Sequence, residues 1–222
     1  MGKTAIILGA TGLTGGLLLE ELLIDNRYQK IKLFSRTSCG LKHDKIEEHL
    51  IDLFELLSHK NTFYADEVFC CIGTTKAKTP DEEQYLQIDY GIPVMAAQLC
   101  KVNDINTFVV VSALGADKKS KVFYNRTKGR MEEAVLLEHI KNTYILQPSL
   151  IDGNRNEKRI GESLAKIFMK LINPLLFGSL SIYKSIHPIT IAKSMVILAN
   201  SSQPSGRILS DDIKKIVENK YD

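Results

Sequence analysis

The segment from Thr4 to Gly16 constrains the fold more than any other part of the chain. Its apolar run, Ala5 to Leu8, shows no alternation, which is typical of a strand in a parallel sheet covered on both faces. Three evenly spaced glycines follow, Gly9, Gly12 and Gly15, and a helical pattern of leucines comes next. A strand, a glycine turn and a helix in this order predict a sheet that holds a dinucleotide, with its phosphates at the helix N-terminus.

Each glycine of this turn has an expected role. Gly9 allows the tight turn, Gly12 the close approach of backbone to phosphate, and Gly15 the close packing of helix against strand. The spacing differs from the usual G-x-G-x-x-G pattern, so glycines that only close a strand–helix turn are an open alternative. The predicted cofactor contacts in this turn are Gly9, Thr11, Gly12, Leu13 and Thr14.

Composition narrows the class of protein. The 222 residues, 44% of them hydrophobic, suffice for one domain, in which residues 150–222 are expected to contribute a substrate region or lid. A net charge of +3 without a Lys/Arg-rich run gives no support for nucleic-acid binding, and no apolar stretch predicts a membrane span. Four cysteines without CxxC spacing and scattered histidines predict free thiols, no metal site and, with no secretory leader, a cytoplasmic location.

Further short apolar runs alternate with helical patterns and predict an α/β fold with a doubly wound parallel sheet, the Rossmann fold. Thr79 is the expected N-cap of one helix, with Pro80 in its first turn. Thr190 is the expected N-cap of a last helix, Ile191 to Leu198. The other predicted strands are Ile31–Phe34, Glu47–Leu50, Glu67–Cys71, Thr107–Val111, Tyr144–Gln147 and Ser185–Ile189.

The end of the second strand indicates which dinucleotide is bound. An acidic residue there usually bonds the ribose of NAD, whereas an arginine accommodates the 2′-phosphate of NADP. This chain has Arg36 and no acidic neighbour, so NADP(H) is predicted, and a solvated surface arginine is the alternative. Asp52 and Leu53 follow the third strand, where the adenine is expected, although Asp52 could equally cap the next helix.

Two more loops follow strands and are predicted to lie against the cofactor, because ligands of open parallel sheets bind at the carboxyl ends of the strands. Ser112 ends the fifth strand, and Tyr124 and Lys128 lie four residues apart, on one face of a predicted helix. The loop residues concerned are Cys71, Ile72, Gly73, Thr74, Pro148, Ser149 and Leu150.

Taken in order, these motifs resemble the atypical short-chain dehydrogenase/reductases, of the small NAD(P)H-binding kind that includes a Tat-interacting oxidoreductase. The resemblance covers nearly the whole chain. It rests on GATGLTG at 9–15, Arg36, CCIGTT at 70–75, VSALGA at 111–116, YNRTK at 124–128 and QPSLIDGNR at 147–155.

The resemblance implies that Ser112, Tyr124 and Lys128 contact the cofactor and catalyse reduction of a small or medium carbonyl compound. Tyr124 would give a proton to the substrate oxygen as hydride arrives from the nicotinamide. Lys128 would favour the phenolate and bond the nicotinamide ribose, and Ser112 would orient and polarise the carbonyl. An NADPH-responsive binding protein with little turnover is the alternative function, and nucleotide-sugar epimerisation is a weaker one.

Some positions depart from the family pattern or stay open. Asp89 is the nearest residue to an asparagine that assists proton relay in well-studied members, and Pro148-Ser149 replaces a frequent Pro-Gly. Arg155 and Arg159 could bind an anion or form an exposed basic loop. The stripe from Leu164 to Ile172 could line a pocket, pack in the core or contact a second copy or partner protein. His187 is expected to be structural.

Overall fold

The chain folds into a seven-stranded parallel sheet with helices on both faces. The structure, a computed structural model, describes residues 2–152 and 178–221. The strands are β1 (Lys3–Leu8), β2 (Tyr28–Ser35), β3 (Ile46–Leu50), β4 (Glu67–Cys70), β5 (Thr107–Val111), β6 (Asn142–Gln147) and β7 (Gly206–Leu209). Their order, β3-β2-β1-β4-β5-β6-β7, confirms the predicted doubly wound α/β fold.

The described helices connect these strands. The α-helices are α1 (Leu13–Ile24), α2 (Glu82–Leu86), α3 (Ile92–Val102), α4 (Phe123–Leu137), α5 (Pro188–Ala199) and α6 (Ser210–Tyr221). A π-helical turn (Gln87–Gly91) joins α2 to α3, and 3₁₀ helices span Leu53–His59 and Gly178–Tyr183. Pro93 lies in the first turn of α3, where a helix tolerates proline.

Two apolar layers explain why the strands lack alternation. Ala5 and Ile7 of β1 pack with α1 and α5, whereas Ile6 and Leu8 pack on the opposite face with α3 and α4. Residues Ala5 to Leu8 are all fully buried, and each aliphatic side chain so placed contributes about 1.5–3 kcal/mol. All neighbouring strands pair in parallel, so the carboxyl ends of the strands lie along one edge of the sheet.

Three local predictions are wrong: the N-cap at Thr79, the strand at Ser185–Ile189 and the N-cap of a last helix at Thr190. Asp81, not Thr79, caps the helix, because its carboxylate accepts from the Gln84 amide at 2.7 Å while the Thr79 hydroxyl bonds Thr74 at 2.9 Å. The strand predicted at Ser185–Ile189 is a single bridge from Ile186 to Ile151.

Helix α5 begins at Pro188, so Thr190 lies inside it and caps nothing. It is not the last helix either, since β7 and α6 follow. Strand β7 has only four residues, too few for a periodic signal to appear in the sequence. The division into one domain with a lid at 150–222 stays a prediction, and Arg155, Arg159 and the stripe Leu164–Ile172 lie outside the described residues.

Candidate dinucleotide and catalytic site

A cleft of about 410 Å³ opens at the carboxyl ends of β4 and β5. Eight of the predicted site residues line it, together with six others. They are Thr14, Cys71, Ile72, Gly73, Thr74, Ser112, Tyr124 and Lys128, joined by Thr75, Lys76, Tyr85, Asp89, Val111 and Ile151. A wider groove beside Thr4, Lys30 and Asp66 lies near the amino ends of the strands, which is the wrong edge for a ligand of this fold.

The glycine turn next to the cleft has the geometry that its spacing predicts. Gly9 has φ of +91°, which L side chains rarely adopt, and accepts a hydrogen bond from the Gly12 amide at 3.0 Å. A Cβ on Gly15 would lie 2.1 Å from the Gly9 carbonyl oxygen, so only glycine lets α1 pack this closely. Thr11 and Gly12 are exposed on the turn.

The N-terminus of α1 fits a bound phosphate. Gly12 is its N-cap and provides no side-chain cap, and the first turn carries no acidic residue. The amide groups of this turn therefore lack a side-chain acceptor, and an anion is the favoured partner for them. Leu13 is half-buried at the start of the helix, and Thr14 is buried against the cleft.

Arg36 lies at the same edge, directly after β2. It is exposed, and its guanidinium makes no hydrogen bond or ion pair with any residue of the described ranges. An arginine without a partner at this position fits the 2′-phosphate of NADP.

Asp52 and Leu53 have structural roles beyond β3. Asp52 caps the 3₁₀ helix, since its carboxylate accepts from the Phe54 amide at 2.9 Å. The Leu53 side chain is 5% exposed and packs in the core, so an adenine could meet only its backbone. Their contact with the cofactor stays a prediction.

The loop after β6 reaches the cleft differently from the loop after β4. Among the residues after Gln147, Ile151 lines the cleft, whereas Pro148, Ser149 and Leu150 do not. The Ser149 hydroxyl donates to the Lys184 carbonyl at 2.5 Å, and Leu150 is 43% exposed. These three residues remain predicted cofactor contacts, and hydrogen bonds tie Ser149 and Leu150 to the C-terminal part of the chain.

The three predicted catalytic side chains meet in the cleft. Ser112 follows β5 and is buried, Tyr124 is 39% exposed near the start of α4, and Lys128 is 3% exposed one turn later. The i,i+4 spacing places the phenol and the ammonium on one face of α4, as the sequence predicts. A hydroxyl, a phenol and a cation therefore converge where a nicotinamide and a substrate would meet.

Asp89 forms an ion pair with Lys128 inside the cleft. The Lys128 Nζ lies 2.9 Å from Asp89 Oδ1. The other oxygen of Asp89 accepts from the Thr74 amide at 2.6 Å. Burial by itself would lower the pKa of Lys128, but the charges of Asp89 and Tyr124 outweigh it, so this pKa is raised and the ammonium stays charged at neutral pH.

The position of Asp89 depends on the π-helical turn, because a π turn inserts an extra residue into the helix and redirects the side chains around it. A Cβ on Gly73 would lie 3.5 Å from Asp89 Oδ1 and 3.7 Å from Lys128 Nζ. The ion pair of Asp89 and Lys128 therefore lies close to the backbone of the loop after β4. Sequence analysis found Asp89 but could not assign it a role.

Glu132 is a buried site residue that sequence analysis missed. It lies four residues after Lys128 on α4, which is the spacing that could have revealed it. Its carboxylate accepts a hydrogen bond from the Ser112 hydroxyl at 2.5 Å. The predicted catalytic serine is therefore hydrogen-bonded to a buried carboxylate.

The other chemical features of the described residues are few. Burial raises the pKa of Cys70 to about 11 and the pKa of Cys71 further still, so both thiols are inert near neutral pH. His187 is the N-cap residue of α5, outside the cleft. Within residues 2–152 and 178–221, no group of metal-ligating side chains is assembled, and no helix has the length and apolar character of a membrane span.

Comparison with known proteins identifies the family. Protein HTATIP2 of Rattus norvegicus is 31% identical over 182 residues, which are 80% of this chain and 72% of that protein. Protein FMP52, mitochondrial, of Lodderomyces elongisporus is 32% identical over 191 residues, 81% of this chain and 80% of that protein. The chain belongs to the atypical short-chain dehydrogenase/reductase family. No family model matches the chain.

Solved structures show the fold of this atypical short-chain dehydrogenase/reductase independently. The Bordetella bronchiseptica enzyme WbmH in complex with NAD+ superposes with a TM-score of 0.71 at 14% identity, covering 94% of this chain and 75% of that one. The UDP-Glc/GlcNAc 4-epimerase of Campylobacter jejuni superposes with a TM-score of 0.69, also at 14% identity, and covers 96% and 82%.

The expectation of a cytoplasmic location is wrong. FMP52-1 of Scheffersomyces stipitis, 28% identical over 97% of this chain and 95% of that protein, is named mitochondrial, as are further FMP52 relatives of other yeasts. The expectation came from cysteines without a disulfide pattern, and these indicate a reducing compartment without saying which one.

Proposed function

We propose that this protein is an NADP(H)-dependent oxidoreductase that reduces a carbonyl compound. The observation that carries the proposal is the convergence of Ser112, Tyr124 and Lys128 in one cleft at the carboxyl ends of β4 and β5. Family membership supports an oxidoreductase-type nucleotide site. Bound NADPH supplies the hydride, and the chain supplies binding, orientation and the proton.

The binding site for the dinucleotide runs from the glycine turn to the loop after β4. The uncapped N-terminus of α1 binds the pyrophosphate, and Arg36 binds the 2′-phosphate. The loop from Cys71 to Thr74 lies beside the riboses. NAD is bound in several neighbours of the same fold, and the unpartnered Arg36 supports NADP in this chain.

Tyr124 is the proton donor of the proposed reaction. Its phenol lies at the mouth of the cleft, and the charged Lys128 one turn away stabilises the phenolate that remains after proton transfer. Hydride addition to the carbonyl carbon and proton transfer to its oxygen give the alcohol. Ser112 lines the same cleft.

A binding protein that responds to NADPH with little turnover is the second candidate. One observation favours it: Asp89 partly offsets the charge of Lys128, and so weakens the stabilisation of a phenolate. We also propose a mitochondrial location for this chain from the names of its yeast relatives, to be tested by fractionation of cells that express it.

A substrate panel separates the two functions. NADPH oxidation is followed with aldehydes, ketones and quinones, for the wild type and for Tyr124→Phe, while calorimetry measures NADPH binding to both proteins. Oxidoreductase function predicts turnover that depends on Tyr124, and NADPH binding that survives the loss of this one hydroxyl. Tight NADPH binding without Tyr124-dependent turnover on any compound would contradict it and favour the binding protein.

A further inference from the structure

The hydroxyl group of Ser112 is tied to a charge that does not face the cleft. Ser112 Oγ lies 2.5 Å from Glu132 Oε1, and both residues are buried. Arg207 Nε lies 2.6 Å from the other oxygen, Glu132 Oε2, in an ion pair that fixes Glu132 as a carboxylate. Gln147 Nε2 contacts both oxygens, at 2.8 and 3.0 Å.

The donors and acceptors around the Glu132 carboxylate fix the direction of each hydrogen bond. An ionised carboxylate only accepts hydrogen bonds, and arginine only donates them. The Gln147 amide must therefore direct its NH₂ group to Glu132, and Ser112 must give its single proton to Oε1. The Ser112 oxygen retains its lone pairs, and Ser112 lines the cleft.

We propose that Glu132 is a positioning residue that takes the hydroxyl proton of Ser112 and so presents this serine to the cleft as a hydrogen-bond acceptor. The inference rests on the proposed function for the identity of the cleft. It changes the role expected of Ser112, because a serine in this state has no proton with which to polarise a carbonyl.

The consequence concerns which ligand the site binds better. A carbonyl oxygen only accepts hydrogen bonds, so Tyr124 donates to it and Ser112 does not. The alcohol that forms has a hydroxyl proton, which it donates to Ser112. Ser112 thus recognises the alcohol and not the carbonyl, and Glu132 sets this preference without touching either.

The variant Glu132→Gln reverses the direction of the hydrogen bond between Ser112 and residue 132. Its amide oxygen must face the Arg207 guanidinium, which leaves the amide NH₂ facing Ser112. Ser112 then accepts this bond and directs its own proton into the cleft. The matched control is Arg207→Lys, which perturbs the same cluster and keeps both the positive charge and the Glu132 carboxylate.

Proton NMR of the full-length protein tests the inference without a substrate. We expect a slowly exchanging hydroxyl resonance that is lost in Ser112→Ala and in Glu132→Gln and retained in Arg207→Lys. Its absence from the wild type, or its persistence in Glu132→Gln, would overturn the inference. Because this measurement needs no turnover, it fails or succeeds separately from the proposed function.

Kinetics supply a second readout that a merely structural role of Glu132 would not move. For the best carbonyl of the substrate panel and its alcohol, the ratio of their two KM values is measured. In Glu132→Gln the ratio should shift about three- to tenfold in favour of the carbonyl, the size of one hydrogen bond. Arg207→Lys should leave it unchanged. Equal changes in both KM values would show that Glu132 only stabilises the fold, and would overturn the inference.

Discussion

Two ionic clusters, each with a buried carboxylate, lie at opposite ends of the sheet, and their hydrogen bonding differs. At the amino end, Lys3 Nζ donates to Glu67 at 2.5 Å and to Asn200 at 2.8 Å, while the Tyr28 hydroxyl donates to Glu67 at 2.5 Å and accepts from Asn200 at 2.6 Å. The four side chains close a ring. Each polar group has its partner, and the cluster joins β1, β2 and β4 to the end of α5.

At the carboxyl end the corresponding cluster is incomplete. Asp89 Oδ1 is buried 2.9 Å from Lys128 Nζ and has no further partner among the described residues. The two arginines that flank β2 show the same contrast, since the Arg27 guanidinium makes three hydrogen bonds to Asp25 while the Arg36 guanidinium has no partner among the described residues. Complete clusters stabilise the fold, and incomplete ones at the carboxyl end are suited to a ligand.

The largest expected effect compares the two phenols. Tyr124→Phe should lower kcat for carbonyl reduction about 10²- to 10⁴-fold, because it removes the proton donor. Tyr28→Phe should leave kcat unchanged and lower the free energy of unfolding by about 1–3 kcal/mol, since Glu67 and Asn200 lose a partner. Steady-state kinetics and urea unfolding of both variants measure this; a similar loss of kcat in both would erase the functional distinction between the two ends.

The next effect concerns the ion pair in the cleft. Asp89→Asn removes the charge that keeps Lys128 protonated, so burial then lowers the pKa of this lysine. The folded-state pKa of Lys128 lies above its unfolded value in the wild type, so its stabilisation is present below the unfolded pKa and is lost only as pH rises through the folded one.

In Asp89→Asn the folded pKa of Lys128 moves to lower pH, below the unfolded value, so the sign reverses and stability rises as pH rises between the two values. At neutral pH the free energy of unfolding should fall by about 3 kcal/mol, because a buried charge has lost its partner. The descending limb of the pH–activity profile should move to lower pH as well. A profile identical to that of the wild type would mean that the charge of Lys128 is set by other groups.

The two arginines give a smaller effect. Arg36→Ala should weaken NADPH binding about ten- to a hundredfold and leave NADH binding nearly unchanged, because charge-assisted hydrogen bonds to the 2′-phosphate are lost. Arg27→Ala is the control and should alter neither affinity, with at most about 1 kcal/mol of stability lost. Calorimetric titrations measure the four affinities; equal weakening for both dinucleotides in Arg36→Ala would remove the argument for NADP.

The smallest effect tests the closed ring. Burial raises the pKa of Glu67, against Lys3 and Tyr28, which lower it. The folded protein therefore binds this proton more tightly than the unfolded chain, and the associated stability is lost as pH rises through the raised pKa. As pH rises through the mildly acidic range, the free energy of unfolding of the wild type should fall by on the order of 1 kcal/mol relative to that of Glu67→Gln. Curves of unfolding free energy against pH that run parallel for the wild type and Glu67→Gln would contradict this expectation.

The parts of the molecule that the sequence predicted are those made by neighbouring residues. The turn at Gly9, Gly12 and Gly15 depends on local backbone conformation, and Tyr124 and Lys128 meet because of helical spacing. The doubly wound parallel sheet was predicted from strands that alternate with helices. These signals lie within a few residues of each other.

The remainder could not be predicted because it depends on distant contacts. Glu132 meets Arg207, which lies 75 residues along the chain, and that contact exists only because β7 joins the sheet beside β6. The Thr79 hydroxyl is occupied by Thr74, so its capping role passed to Asp81. The role of Asp89 likewise requires the π turn to aim it at Lys128.

Calorimetric titration of the full chain with NADPH tests most directly that the carboxyl end of the sheet is the ligand-binding end. The account predicts saturable heat for one site per chain, weakened when Gly15→Ala forces a Cβ against the Gly9 carbonyl and preserved in Gly16→Ala, whose Cβ would lie 3.4 Å from the Ala10 oxygen. No heat of binding for NADPH or NADH with folded protein would contradict it.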